Sequence, residues 1–413
     1  MSNRERGSQD APGRRPVFGP GLLVTAAFVG PGTIATASSA GASFGYALVW
    51  ALLFSVAATV TLQEMSVRSA IATRAGLAAT LRRALVAGWG GRAALLGVIL
   101  AIGVGNAAYE SGNIAGAAVA LAEVSGRSAA LWSLIVGVAA AALLFLPAFA
   151  QLERVLIALV LLMSALFLLC ALVLGPDWPA LIAGLRPSLP AGSVTTVIAL
   201  IGTTVVPYNL FLQANAARDH WAGETDRRLA LRSARTDTAL SVSLGGLITL
   251  AILSTAAVAM LSRDGGMTAE MLANQLEPVL GPAGRHVFAL GLGAAGLTSA
   301  VTAPLAAAYA VCGVLGLDDT LKGRAFRTVA LVVVTVGTVF AATGARPLSL
   351  IVFAQAANGL MLPVIAATLL WLMNRRDLMG ESANSWRSNL VGAVVLLVAV
   401  GLGGNRLWSV LTG

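Results

Sequence analysis

Two clusters of glycine, proline, hydroxyl and amide residues stand in the middle of apolar stretches. One is Gly30-Pro31-Gly32-Thr33 with Thr36; the other is Thr203-Thr204 followed by Val206-Pro207-Tyr208-Asn209. A proline inside a helix removes a backbone hydrogen bond and clashes with the preceding turn, so each cluster is expected to break its helix. In lipid the freed N–H and C=O groups need partners within the protein, and a break persists where it lines a cavity. The chemistry open to these residues is binding, through neutral oxygens, N–H groups and helix ends. Catalysis would need a nucleophile with a base, or a metal, and no histidine, cysteine pair or carboxylate cluster stands in the apolar core to supply one. No enzyme is expected.

The elements that must position these clusters are membrane spans. Hydrophobic residues make up 57% of the chain and charged residues 11%, against about 25% charged in soluble proteins. Mean hydropathy is +0.84. The net charge of +9 is dispersed over connections between apolar stretches, so membrane topology explains it and nucleic-acid binding is excluded. Cys170 and Cys312 both lie in apolar stretches and offer no disulfide framework or Cys-rich metal site.

Windows of about 20 apolar residues, enough to cross a bilayer, fit roughly eleven times: 19–43, 46–71, 93–123, 129–149, 154–174, 194–217, 236–262, 284–315, 326–343, 347–374 and 388–410. Arginines concentrate in alternate connections, at Arg74, Arg82, Arg83 and Arg92, at Arg154, at Arg218 to Arg235, at Arg324 and Arg327 with Lys322, and at Arg375, Arg376 and Arg387. The positive-inside rule then places a cytoplasmic tail at 1–18 and the C-terminus outside, in a multi-pass protein of the plasma or inner membrane. The two breaks each fall in the first span of a five-span set. The expected organisation is a first repeat over 19–174, an extracellular linker over 175–193, an inverted second repeat over 194–374, a cytoplasmic loop over 375–387, and a last span with the C-terminus over 388–413. Paired breaks of this kind point to the substrate site of a secondary transporter.

At these residues the chain resembles the natural-resistance-associated macrophage protein (Nramp) family of metal-ion transporters, which share the LeuT-type fold. Gly19-Pro20-Gly21-Leu22-Leu23, Gly30-Pro31-Gly32-Thr33 and Ala40-Gly41-Ala42-Ser43-Phe44-Gly45-Tyr46 look like that family's first helix. Val206-Pro207-Tyr208-Asn209-Leu210-Phe211-Leu212 looks like its sixth, and Gln355 with Leu362-Pro363 resembles its tenth. The resemblance implies an all-α polytopic fold of a five-plus-five inverted repeat plus one helix, with helices 1 and 6 broken. It also implies where the chain departs. The family's Asp-Pro-Gly-Asn becomes Gly30-Pro31-Gly32-Thr33, its Met-Pro-His becomes Val206-Pro207-Tyr208, and a second histidine becomes Gln213. Carboxylate, thioether and imidazole are thus missing at the aligned positions, and no transition-metal site is expected.

A half-helix opening at Pro31 presents a positive N-terminal end, and without an acid that end is uncompensated. A small anion such as bicarbonate is therefore the expected substrate. It would be held by Gly30, Pro31, Gly32, Thr33, Thr36, Thr203, Thr204, Val206, Tyr208 and Asn209, with Gln355 and Asn358 closing one side and Phe28 and Val206 keeping the cavity small. Sodium-coupled LeuT-type transporters use hydroxyls in the eighth span, so Ala295, Thr298, Ser299 and Thr302 are the candidates for a coupling Na⁺. Those hydroxyls would alternatively bond to their own helix. Glu110, in the polar stretch of the third span, aligns with an acid of the family's proton pathway and is a candidate proton acceptor or counter-charge. Glu64 precedes Arg68 by four residues and reads as an ordinary helical ion pair. The expected partners are a small inorganic ion and the bilayer, with no nucleic acid and no cofactor beyond transported Na⁺; the expected state is a monomer. The alternatives are a Mg²⁺ or Mn²⁺ transporter coupled to H⁺, and a non-transporting sensor on the same fold.

Overall fold

The computed structural model describes residues 29–85, 88–146, 149–221, 224, 226–261, 267–318, 320–343 and 347–412. The tail, the Gly19 to Leu23 motif and Phe28 lie outside the described residues. The described chain is helical almost throughout. Span 1 continues from its break as Pro31–Phe44; span 2 is Val49–Thr73, span 3 Gly88–Ser125, span 4 Ala129–Leu143 and span 5 Phe149–Leu174. Span 6 is divided into Val194–Thr204 and Pro207–His220. Spans 7 to 11 are Arg227–Ala259, Ala283–Leu315, Arg324–Ala342, Pro347–Met373 and Trp386–Thr412. Nine of the described helices are long and apolar enough to cross a membrane, counting the two halves of span 6 as one. With the 15-residue Ala129–Leu143 and the half of span 1, they account for the eleven expected spans.

Proline alone does not make a break. Pro304 and Pro363 lie inside the continuous helices of spans 8 and 10. Pro31 and Pro207 instead stand first in their helices, where a missing N–H costs nothing. What separates them is the residue before: Gly30 and Val206 are both extended, with ψ of 174° and 115°.

Small residues then bring the broken spans against their neighbours. A side chain at Gly202 would overlap the backbone of Gln355 and Gly359, and one at Gly359 would overlap the Ile198 carbonyl, so spans 6 and 10 touch backbone to backbone. Span 6 is the centre of the molecule, with 83% of its apolar window buried, whereas span 11 has 22% and lies at the lipid-facing edge.

Three departures from the expected boundaries have physical causes. Span 7 starts at Arg227 rather than 236, because arginines are good helix formers and carry the helix beyond the apolar window. An amphipathic helix, Leu77–Leu85, follows span 2, burying Leu77, Leu81 and Leu85 while Arg82 and Arg83 are exposed. The linker at 175–193 contains the short helix Trp178–Ala183, held to span 2 where Trp50 Nε1 donates to the Ser188 carbonyl at 2.9 Å. At the same end, Ser38 donates to Gln275 Oε1 at 2.6 Å and Gln275 Nε2 donates to the Ile252 carbonyl at 2.9 Å. That buried amide ties the half-helix of span 1 to span 7 and to the connection before span 8.

Candidate functional site

The half-helix of span 1 starts behind Gly30, which has no side chain to cap it, with Pro31 as its first residue. Its position is set by two close approaches. Pro31 packs where a side chain at Gly116 of span 3 would be, and the Gln355 side-chain amide of span 10 lies directly against Gly32. Both Oε1 and Nε2 of Gln355 are buried and have no hydrogen-bond partner among the described residues. One turn further, Thr36 on the same helical face buries its hydroxyl, again unpartnered.

Span 6 meets this face from the other side. Thr33 and Thr203 share a hydrogen bond of 2.9 Å between their hydroxyls, so the first turn of one half-helix is pinned to the last turn of the other. Asn358 Nδ2 donates to the Gly202 carbonyl at 3.0 Å, satisfying a carbonyl that the helix end releases. Thr204 donates to its own Leu200 carbonyl at 2.9 Å, which turns it away from binding. Beyond the break, the Asn209 Nδ2 is buried without a partner. Val206 and Tyr208 pack with Tyr109 of span 3, the two phenol rings meeting edge to face at 5.4 Å between centroids.

Of the expected substrate residues, Gly32, Thr33, Thr203, Gln355 and Asn358 are thus brought together by contacts; Thr36 carries an unpartnered hydroxyl on the half-helix of Gly32 and Thr33, and Asn209 an unpartnered amide nitrogen on the other half of span 6. The expected coupling residues divide. Thr298 donates to the Ala294 and Ala295 carbonyls at 2.9 and 3.0 Å, and Thr302 to the Thr298 carbonyl at 2.8 Å, the back-bonding alternative. Ala295 is buried and has no polar side-chain atom to offer. Ser299 does reach the break: its Oγ lies 3.4 Å from where a Cβ at position 30 would stand.

Glu110 is fully buried; its Oε2 accepts from Asn113 Nδ2 at 3.2 Å, and Oε1 has no partner. Its aliphatic stem packs against Gly337 of span 9. The residue of span 3 that faces the break is its neighbour Tyr109, whose hydroxyl is 3.8 Å from the Cβ position at residue 30. Tyr109 was not among the expected site residues; its place beside Glu110 in the polar stretch was the available signal. Among the described residues no group of three or more His, Cys, Asp or Glu side chains could hold a metal ion.

Residues 21–409 match the family model described as natural resistance-associated macrophage protein-like. A relative from Pseudomonas aeruginosa, the divalent metal cation transporter MntH 1, is 31% identical over 398 residues, covering 92% of this chain and 89% of its own. The divalent metal cation transporter MntH of Deinococcus radiodurans is 27% identical over 413 residues, covering 96% and 91%. Among solved structures, a manganese transporter of Eremococcus coleocola superposes with a TM-score of 0.73 at 21% identity, over 93% of this chain and 84% of that one. MhsT in complex with L-phenylalanine superposes with a TM-score of 0.59 at 15% identity, over 96% and 100%. The fold is the LeuT-type inverted repeat.

These relatives overturn the expectation of an anion. Bicarbonate as substrate, and the Na⁺ symport that accompanied it, are withdrawn, because proteins alike over nearly the whole chain are named for divalent cations. The physical reason lies in span 6. The expectation weighed only the positive N-terminal end at Pro31, but the helix Val194–Thr204 ends in the same place and brings a negative C-terminal end with it, which offsets part of that charge and can face a cation. This multi-pass membrane protein belongs to the Nramp family.

Proposed function

We propose that this chain is a transporter, not an enzyme, and that it carries a hard divalent cation, Mg²⁺ or Mn²⁺, by alternating access around the breaks in spans 1 and 6. The observation that carries the reading is the Gln355 amide, fully buried, without a partner among the described residues and folded onto Gly32 beside the Thr33–Thr203 bridge. Leaving a buried polar group unpaired costs about 1–3 kcal/mol, so a side chain kept in that condition at a helix break marks a place where a guest completes the bonding. The donors it would meet are amide, hydroxyl and carbonyl oxygens. Oxygen-only sets suit Mg²⁺ and Mn²⁺, and Mg²⁺ in particular keeps several of its own waters and needs few protein ligands.

Val206 supplies no sulfur and Gly30 no carboxylate, so the site offers nothing to favour a soft metal. Glu110, the one carboxylate buried among the described residues, is the group able to offset cation charge or to carry a proton in the cycle. The arginine-rich end of the bundle is cytoplasmic in this reading.

The test is influx of Mn²⁺ and Mg²⁺ into liposomes holding the purified full chain, followed with a trapped indicator. Wild type is expected to take up both ions, and Thr33→Ala to slow uptake. Binding of either ion without influx would identify a sensor instead, and the absence of both binding and influx would refute the proposal.

A further inference from the structure

Where span 2, the start of span 7 and the connection between spans 10 and 11 meet, there is a cavity of about 550 Å³, lined by Arg68, Arg227, Arg228 and Arg235. Two helix N-termini also line it. Span 7 begins with Arg227 and Arg228 behind Asp226, and span 11 begins at Trp386 behind Ser385. Each such terminus carries roughly half a positive charge.

Carboxylates offset only part of this. Glu64 is occupied by Arg68 and Arg235, at 3.0 and 2.8 Å. Asp226 accepts from the backbone N–H groups of Arg228 and Leu229, and Glu381 stands exposed on the lining. Arg227 gives one N–H to the Ala72 carbonyl at 3.1 Å, and the Arg228 guanidinium has no partner among the described residues. Both side chains are exposed.

The surroundings select the kind of anion. The Trp386 ring, at the start of span 11, is 71% exposed, with the Arg387 guanidinium 5.6 Å from its centroid; Trp371 is 40% exposed beneath Arg375 at 5.3 Å. Exposed tryptophans with basic neighbours at helix ends sit at the level of lipid headgroups. At that level the abundant group of matching charge is a lipid phosphate, and arginine binds phosphate through paired N–H groups. We infer that this cavity binds the phosphate of an anionic lipid headgroup, using Arg227 and Arg228 as the exposed guanidiniums that reach it, with Arg68 as its buried floor and Arg235 held at its side by Glu64.

The experiment titrates the full-length protein in detergent with phosphatidylglycerol, phosphatidylcholine or inorganic phosphate, reading retained lipid by native mass spectrometry and the unfolding temperature in parallel. Saturable retention of phosphatidylglycerol with a rise in unfolding temperature, and neither with phosphatidylcholine, is the expected result. Arg227→Gln with Arg228→Gln should weaken retention by roughly tenfold. Arg232→Gln, an exposed arginine of the same helix off the cavity lining, should leave it unchanged and controls for general charge. Equal retention by the double variant, or equally tight retention of phosphatidylcholine, would overturn the inference. So would displacement of the lipid by millimolar inorganic phosphate, which would assign the cavity to a soluble ion.

Discussion

At the breaks in spans 1 and 6 the polar atoms are neutral and several have no partner, whereas at the arginine-rich end the deepest charge is bonded at every nitrogen. Gln355, Thr36 and Asn209 bury unpartnered amide or hydroxyl atoms. Arg68, by contrast, is buried with Nε on Glu64, Nη1 on the Ser382 carbonyl at 2.7 Å and Nη2 on Asn384 Oδ1 at 2.7 Å. Both regions sit between helices of an apolar bundle. The bonded charge joins span 2 to its neighbours, and in the proposed transporter the unbonded neutral atoms are the ones a transient guest would complete.

That contrast can be broken by substitution. The largest effect is expected at Gly32→Ala, whose new methyl would occupy the space of the Gln355 amide. Overpacking of this kind costs about 1–3 kcal/mol, and because it displaces the amide itself, cation uptake should be abolished while folded protein is still recovered. Arg68→Met comes next for stability. It leaves the Ser382 carbonyl and the Asn384 amide oxygen without their donor at a side chain only 5% exposed, while Glu64 keeps Arg235, so thermal unfolding should report a loss of roughly 2 kcal/mol.

Gln355→Leu separates stability from function. It fills nearly the same space and removes two unpaired buried atoms, so stability should hold or rise by about 1 kcal/mol while uptake falls away. A drop in stability with uptake retained would mean that the amide is structural. Thr298→Ala should do least, since its hydroxyl bonds only to its own helix; uptake within about twofold of wild type is expected.

Much of this architecture was legible in the sequence. Apolar length located the spans, and the two Gly/Pro clusters located both breaks, because each depends on local rules of helix and bilayer. Span 8 was expected over 284–315 and is Ala283–Leu315. The start of span 7 was not legible, since hydropathy registers the bilayer and not the helix that continues past it. Nor was the orientation of span 3: Tyr109 and Glu110 are adjacent in sequence, and which of them faces Gly30 depends on the rotation fixed by Gly116 and Gly337 against other helices. The sign of the substrate was misread for a related reason. Local sequence displays the N-terminal end of a half-helix, whereas the field in the break also includes the C-terminal end of its partner, which only the three-dimensional arrangement brings into view.

A hard divalent cation carried through neutral oxygens would reveal itself in competition between metals. In liposomes holding the full chain, uptake of Mn²⁺ is measured against rising Mg²⁺ or Cd²⁺, in wild type and in Gly30→Asp, a position with ordinary contact distances to Ser299 and Tyr109 for an added side chain. Wild type should be inhibited by Mg²⁺ at concentrations comparable to Mn²⁺, with Cd²⁺ no better, and the added carboxylate should strengthen Mn²⁺ binding by about tenfold or more. Inhibition of wild type by Cd²⁺ far below the effective Mg²⁺ concentration, or unchanged Mn²⁺ affinity in the Gly30→Asp variant, would contradict an oxygen-only site at these breaks.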